Sequence, residues 1–264
     1  IGDTIWGASG SPYLVTGDVT VDTGVTLVIQ AGVQVLFLAN SDDQSSGQRL
    51  SDSELLVKGT LSVLGTAEGP VVLSSSNAVA AAGDWGGIYL DQNASLTLNY
   101  ARMSYTGYGI DSGNVDIGSV DITHSRLEFS GGGIYLRGGQ QESTRVVTDN
   151  VISVGTSGYA LHLYLCCNNQ ASLPNLSRNV ITNPQGAGIF VNQARQGITI
   201  DSNTIAVRSE ALQLAYAAGA IAVTSNVLEN TLTASECCGG SGIYIYGLIA
   251  TGGPDNAITS ITLQ

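Results

Sequence analysis

Three side chains, Arg137, His162 and Tyr164, carry the functions that β-elimination of an acidic sugar requires. Arg137 would neutralise a uronate carboxylate, His162 or Tyr164 would take the C5 proton, and Tyr164 would protonate the leaving oxygen. Around them Tyr135, Phe190, Asn192, Tyr244 and Tyr246 offer aromatic faces and an amide. That combination suits stacking on the apolar faces of sugar rings, with directional hydrogen bonds from Asn and Arg. The same aromatics would also stabilise a sheet by stacking on one another across strands.

Two further groups have chemistry of their own. Cys166-Cys167 and Cys237-Cys238 are adjacent pairs separated by about 70 positions. Stacked turns would put them about 14 Å apart along the axis, beyond the Cα separation of about 7 Å that a disulfide tolerates. Local closure of each pair is therefore favoured over cross-links, although four cysteines still allow three connectivities. Neither pair has the spacing of a zinc site. Asp42, Asp43, Asp52 and Glu54 fall in a polar stretch, residues 40–54, and are candidate calcium ligands, because calcium takes flexible, oxygen-rich loops. They follow no defined calcium-loop motif, and a solvated acidic loop is the favoured reading. No other cofactor is expected.

The elements that must position these residues are short strands in a repeat. From Asn179 to Ile205 the chain reads Asn-x-Ile, a Gly-bearing turn, Gly-Ile-x-Val, another turn, Ile-x-Ile, and Asn-x-Ile again. Alternation over four or five residues marks strands, since successive side chains point to opposite faces. The Asn position recurs at Asn150, Asn179, Asn203 and Asn226, with Ala101 and Ser125 in the same place earlier. The apolar position that opens the second strand recurs at Ile88, Ile110, Ile134, Leu161, Ile189, Leu212 and Ile243, with gaps of 22, 24, 27, 28, 23 and 31 residues. A period of this size, with turns of variable length, specifies a solenoid.

We therefore expect an all-β chain: a right-handed, single-stranded parallel β-helix with three short strands per coil, an Asn ladder, and about 9–11 coils. It reads as one domain over 1–264, with N-terminal coils at 1–83 interrupted by the polar insertion 40–54, and regular coils over 84–264. The Asn column fits a ladder of buried amides satisfying turn backbone. His124, beside the Ser125 turn, reads as structural. In each coil Tyr89, Asp111, Tyr135, His162, Phe190, Gln213 and Tyr244 would form one outward column, with Asp91, Arg137, Tyr164, Asn192 and Tyr246 two places on.

Composition narrows the partners. The formal net charge is −12 and Lys58 is the only lysine, so a phosphate backbone or an anionic membrane is repelled. No apolar run approaches the ~20 residues needed to span a bilayer. A Lys-poor, Ser/Thr/Gly-rich solenoid that starts at Ile1 is expected outside the cell or on its surface. The final strand-like segment, residues 258–264, would leave an open edge, which further chain or end-to-end or face-to-face self-association would cover.

The runs Ser11–Val21, Val25–Val33, Val57–Gly65 and Trp85–Ile88 resemble the right-handed β-helix segments of secreted and surface proteins of bacteria, in the pectate-lyase-like superfamily. That resemblance implies the architecture; the superfamily's activities range from lyases and hydrolases to adhesins and inert stalks. The polygalacturonase-type motifs are absent, and the only lysine is far from any acidic cluster. The leading expectation is a non-catalytic module that binds a polysaccharide or surface glycan. A polysaccharide lyase using Arg137, His162 and Tyr164, and a structural stalk or self-assembling subunit, are the alternatives.

Overall fold

The computed structural model describes residues 2–129, 131–138, 143–165, 173–230, 242–246 and 260–263. Strands stack in three parallel ladders around one core. Face one has ten strands among the described residues, from Thr4–Trp6 through Thr26–Gln30 and Arg145–Thr148 to Ser260–Leu263. Face two runs from Tyr13–Val15 through Val71–Ser75, Arg126–Phe129 and Val180–Asn183 to Val227–Asn230. Face three runs from Val19–Val21 through Glu54–Val57, Trp85–Leu90, Ile134–Arg137 and Tyr159–Tyr164 to Ile243–Tyr246. The chain visits the faces in that order, so every circuit is one coil. Every pairing is parallel and single-coil in register, which places equivalent residues about 4.8 Å apart in columns.

One strand breaks the pattern. Ala101–Asp111 spans faces two and three without an intervening turn, and its register slips between Ser104 and Thr106. That bulge turns the corner that other coils turn with a loop, and explains why the gap between Ile88 and Ile110 is the shortest in the series.

The core is made of the inward positions of all three faces, with Leu27, Val35, Leu55, Leu61, Leu98, Leu136, Leu163, Val191 and Leu214 fully buried. Burying each such side chain contributes about 1.5–3 kcal/mol. The column relaxes at the last described strand of face three, where Ile243 is 36% exposed. Trp85 is fully buried, stacks on Phe37 at 3.8 Å, and donates its indole N–H to the Ser104 carbonyl at 2.8 Å. Trp6 stacks on Tyr13 at 4.8 Å against the N-terminal end of the core.

The corner between faces one and two is a tight turn whose first residue has positive φ in six coils: Tyr100, His124, Asp149, Arg178, Ser202 and Ser225. From Ser125 onwards, the residue that follows each supplies the ladder. Asn150 N donates to Asn179 Oδ1 at 3.1 Å, Asn179 N to Asn203 Oδ1 at 3.0 Å, and Asn203 N to Asn226 Oδ1 at 3.0 Å. The side-chain amides donate in turn to the carbonyls of Ile122, Val147, Leu176 and Ile200. Ser125 continues the column, accepting from Ala101 N at 3.0 Å and presenting its own N–H to Asn150 Oδ1. Outside this ladder His124 stacks on Tyr100 at 4.8 Å, and Arg178 makes two 2.7 Å bonds to the Asp149 carboxylate.

Candidate functional site

Face three aligns the outward residues in one register. Asp111 is paired with Tyr89 and Tyr135, Tyr135 with His162, His162 with Phe190, Phe190 with Gln213, and Gln213 with Tyr244. Two places on, Arg137 is paired with Tyr164, Tyr164 with Asn192, Asn192 with Ala215, and Ala215 with Tyr246. Alternation with the fully buried Leu136, Leu163, Val191 and Leu214 leaves these side chains no inward direction.

The first column is a packed ribbon at its centre, where an open strip is expected. Tyr135 meets His162 edge-on at 4.8 Å, and His162 stacks on Phe190 at 4.6 Å. Tyr159, at the start of its strand, closes over both, 5.4 Å from His162 and 4.9 Å from Phe190. Phe190, expected as a ligand contact, is only 8% exposed, with its ring packed against His162 and Tyr159. Tyr159 was not among the sequence candidates. Its hydroxyl donates to Gln213 Oε1 at 2.6 Å, and Gln213 Nε2 donates to Tyr246 Oη at 3.3 Å, so one chain of contacts runs from Tyr135 to Tyr246. At the far end Tyr244 is 48% and Tyr216 44% exposed, with Tyr246 packed 5.1 Å from Tyr244 and 5.7 Å from Tyr216.

This packing changes the acid–base chemistry. His162 Nε2 is buried with no hydrogen-bond partner among the described residues, and burial pulls the imidazole down to about 4. It is neutral at pH 7, and its Nε2 atom is turned away from solvent among the aromatics of the ribbon. Arg137 lies 5.6 Å above the Tyr164 ring and its guanidinium donates to the Asn114 carbonyl, while its backbone N–H donates to Ser112 Oγ at 2.8 Å. Asn192 Oδ1, in the second column, is buried and has no hydrogen-bond partner among the described residues.

The imidazole gives a pH prediction. In the unfolded chain His162 takes a proton near 6.5, whereas in the folded chain it resists until about 4. The stability it contributes is therefore complete above pH 6.5 and is lost as the pH falls towards 4. His162→Phe keeps the stack without a titrating group. The melting temperature of the variant should fall less than that of the wild type between pH 7 and pH 4, as read by circular dichroism.

The acidic insertion is organised by its own backbone. Asp42 accepts from Gln44 N and Ser46 N, Asp43 from Thr16 Oγ1, and Asp52 pairs with Arg49 at 3.0 Å. Glu54 is the first residue of a face-three strand, outside the loop proper; it is 1% exposed, and its Oε2 accepts from Gln48 N and Arg49 N. Asp18 accepts from Glu54 N at 3.0 Å and Ser46 Oγ at 2.6 Å. Among the described residues no three His, Cys, Asp or Glu side chains are gathered to hold a metal ion. Cys166, Cys167, Cys237 and Cys238 lie outside the described residues.

Burial pushes the Glu54 carboxyl up to about 7, with Asp18 adding to the rise and the two backbone N–H groups opposing it. A raised carboxyl stabilises the fold fully below its unfolded value of 4.5 and loses that contribution as the pH rises through about 7. Glu54→Gln should therefore melt higher than the wild type at pH 8, with the difference shrinking at pH 5. This slope is opposite in sign to that of His162, so the two variants separate the contributions.

Comparison with known families agrees with this geometry. Residues 3–142 match the model described as a pectate-lyase like beta helix domain, and residues 74–228 match the right handed beta helix region. The chain is a right-handed β-helix of the pectate-lyase-like family. No curated protein and no solved structure matches it. In this β-helix the family assignment covers the architecture, and the residues on its faces must carry any argument about function.

Proposed function

We propose that this β-helix is a non-catalytic glycan-binding module, working outside the cell or at its surface, with face three as the contact. The observation that carries this reading is the register that brings Tyr164, Asn192, Tyr244 and Tyr246 onto the same side of successive coils. Partly exposed rings suit the apolar faces of sugars. Binding needs no proton transfer, so a neutral His162 packed between Tyr135 and Phe190 is compatible with it. The lyase alternative would have to rely on Tyr164 as its base, since the His162 Nε2 atom is buried.

A glycan array probed with the full chain tests the proposal. Wild-type protein should retain a defined set of glycans, and the double variant Tyr244→Ala, Tyr246→Ala should bind them about tenfold or more weakly, the effect of removing one well-made stacking contact. Silence across the array, or equal binding by both proteins, would remove the glycan-binding reading.

A further inference from the structure

Face two carries a groove that the glycan reading does not use. We infer that this groove is a second ligand site, which takes a carboxylate borne on a six-membered ring. Arg102 would meet the carboxylate and Tyr105 the ring.

The groove is a cavity of about 660 Å³ over coils that contribute Val72, Ser74, Arg102, Ser104, Arg126 and Glu128, within the size range of small-ligand pockets. Arg102 and Arg126 are register partners, so two guanidinium groups leave adjacent strands side by side. Arg126 is occupied by Glu128, at 2.7 Å from Nε and 2.6 Å from Nη2. Arg102 has no ion pair or hydrogen bond among the described residues, although the chain has a net charge of −12 and carboxylates to spare. A guanidinium beside a like charge is stabilised by an anion, and its planar fork fits a carboxylate with two parallel bonds. Ser74 and Ser104 hydroxyls, 3.1 Å apart on the same floor, add donors and acceptors for polar substituents of the ring.

Tyr105 is the second, independent observation. It is the extra residue of the bulge between Ser104 and Thr106, with φ +65°, a conformation unfavourable for a bulky side chain. The backbone is held there from both sides, by Trp85 Nε1 on the Ser104 carbonyl at 2.8 Å and by Gly83 N on the Tyr105 carbonyl at 3.1 Å. The ring gains little core packing in return, being 38% exposed. It stands between the main cavity and a neighbouring one of about 370 Å³ lined by Ser153 and Thr182. Other residues of the chain, Tyr100 and Tyr216 among them, also have positive φ, but Tyr105 is the one that a bulge places in the wall of this groove, where its exposed ring is open to a ligand.

The test is a titration of the ¹⁵N-labelled full chain, followed by amide shifts, with four probes. Sodium glucuronate and 4-hydroxybenzoate have both ring and carboxylate; glucose lacks the charge and acetate lacks the ring. At least one of the first two should bind with shifts centred on Arg102 and Tyr105, and about tenfold more tightly than glucose or acetate. Glucuronate alone would identify a sugar acid, and hydroxybenzoate alone an aromatic acid. Arg102→Gln and Tyr105→Gly should each weaken binding about tenfold. Because glycine adopts φ +65° without strain, Tyr105→Gly should melt no lower than the wild type, which separates ligand contact from folding. Tyr244→Ala, on face three, should leave this binding unchanged. Failure of both acids to bind, or binding insensitive to both groove variants, would overturn the assignment irrespective of what the glycan array shows.

Discussion

Asn179→Ala should be among the most destabilising single changes in the chain, lowering stability by roughly 3–5 kcal/mol. The side chain is fully buried in the corner turn and serves both neighbouring coils. Its Oδ1 accepts from the backbone and side chain of Asn150, at 3.1 and 3.0 Å, and its Nδ2 donates to Val147 O at 2.7 Å and Asn203 Oδ1 at 3.0 Å. Alanine leaves the Asn150 N–H and the Val147 carbonyl buried without partners, and no water-sized replacement comes with the substitution. Asn179→Ser should lose distinctly less, because Ser125 in the equivalent turn already satisfies the N–H of the preceding coil. Urea denaturation of both variants beside the wild type measures the difference. Equal losses for Ala and Ser would mean that volume, not hydrogen bonding, governs this corner.

The second large effect is expected at Arg145. This side chain is fully buried, yet among the described residues it has no carboxylate in hydrogen-bond contact. Its guanidinium donates to four carbonyls, those of Gly118, Thr144, Ile117 and Gly138. Burial pulls it down to about 10, so it stays charged at neutral pH, with Asp116 the nearby charge that favours this form. It ties the turn before one face-one strand to the end of the face-three strand Ile134–Arg137. Arg145→Leu removes the charge and strips the side-chain donor from all four carbonyls, of which Thr144 keeps the Val120 N–H at 2.9 Å, and we expect a loss of roughly 3 kcal/mol. Arg145→Lys should recover only part of it, because one ammonium group cannot span the same four acceptors. Denaturant midpoints for the three proteins rank the outcome. A leucine variant as stable as the wild type would show that the carbonyls find other donors.

The solenoid and its columns were legible because they depend on local alternation. Inward aliphatics such as Leu163 and Val191 recur at fixed positions within each strand, so the outward partners Tyr164 and Asn192 follow from the pleat alone. The Asn ladder was legible for the same reason, since one residue type recurs at one corner. What lay beyond the sequence depends on where a side chain leans. Tyr159 closes over Phe190 from a neighbouring coil, and nothing in the pattern of either strand encodes that direction. Arg145 reads as a solvated charge because its partners are backbone carbonyls, which every residue has. Tyr105 is hidden in an uninterrupted strand-like run, with no glycine or proline at its own position to mark the bulge. Only the short gap between Ile88 and Ile110 signals that this coil turns its corner differently.

The corner amides also give the molecule a polarity. At every rung from Ala101 to Asn203 the main-chain donor is met by a side chain belonging to the coil that comes later in the sequence. A chain emerging amino end first would therefore leave each new corner incomplete until the following rung arrived, and would close like a zipper just behind the point of exit. Pulled apart mechanically, the two ends should bare different groups: loss of a rung at the carboxyl side exposes a main-chain donor, and loss at the amino side a side-chain amide.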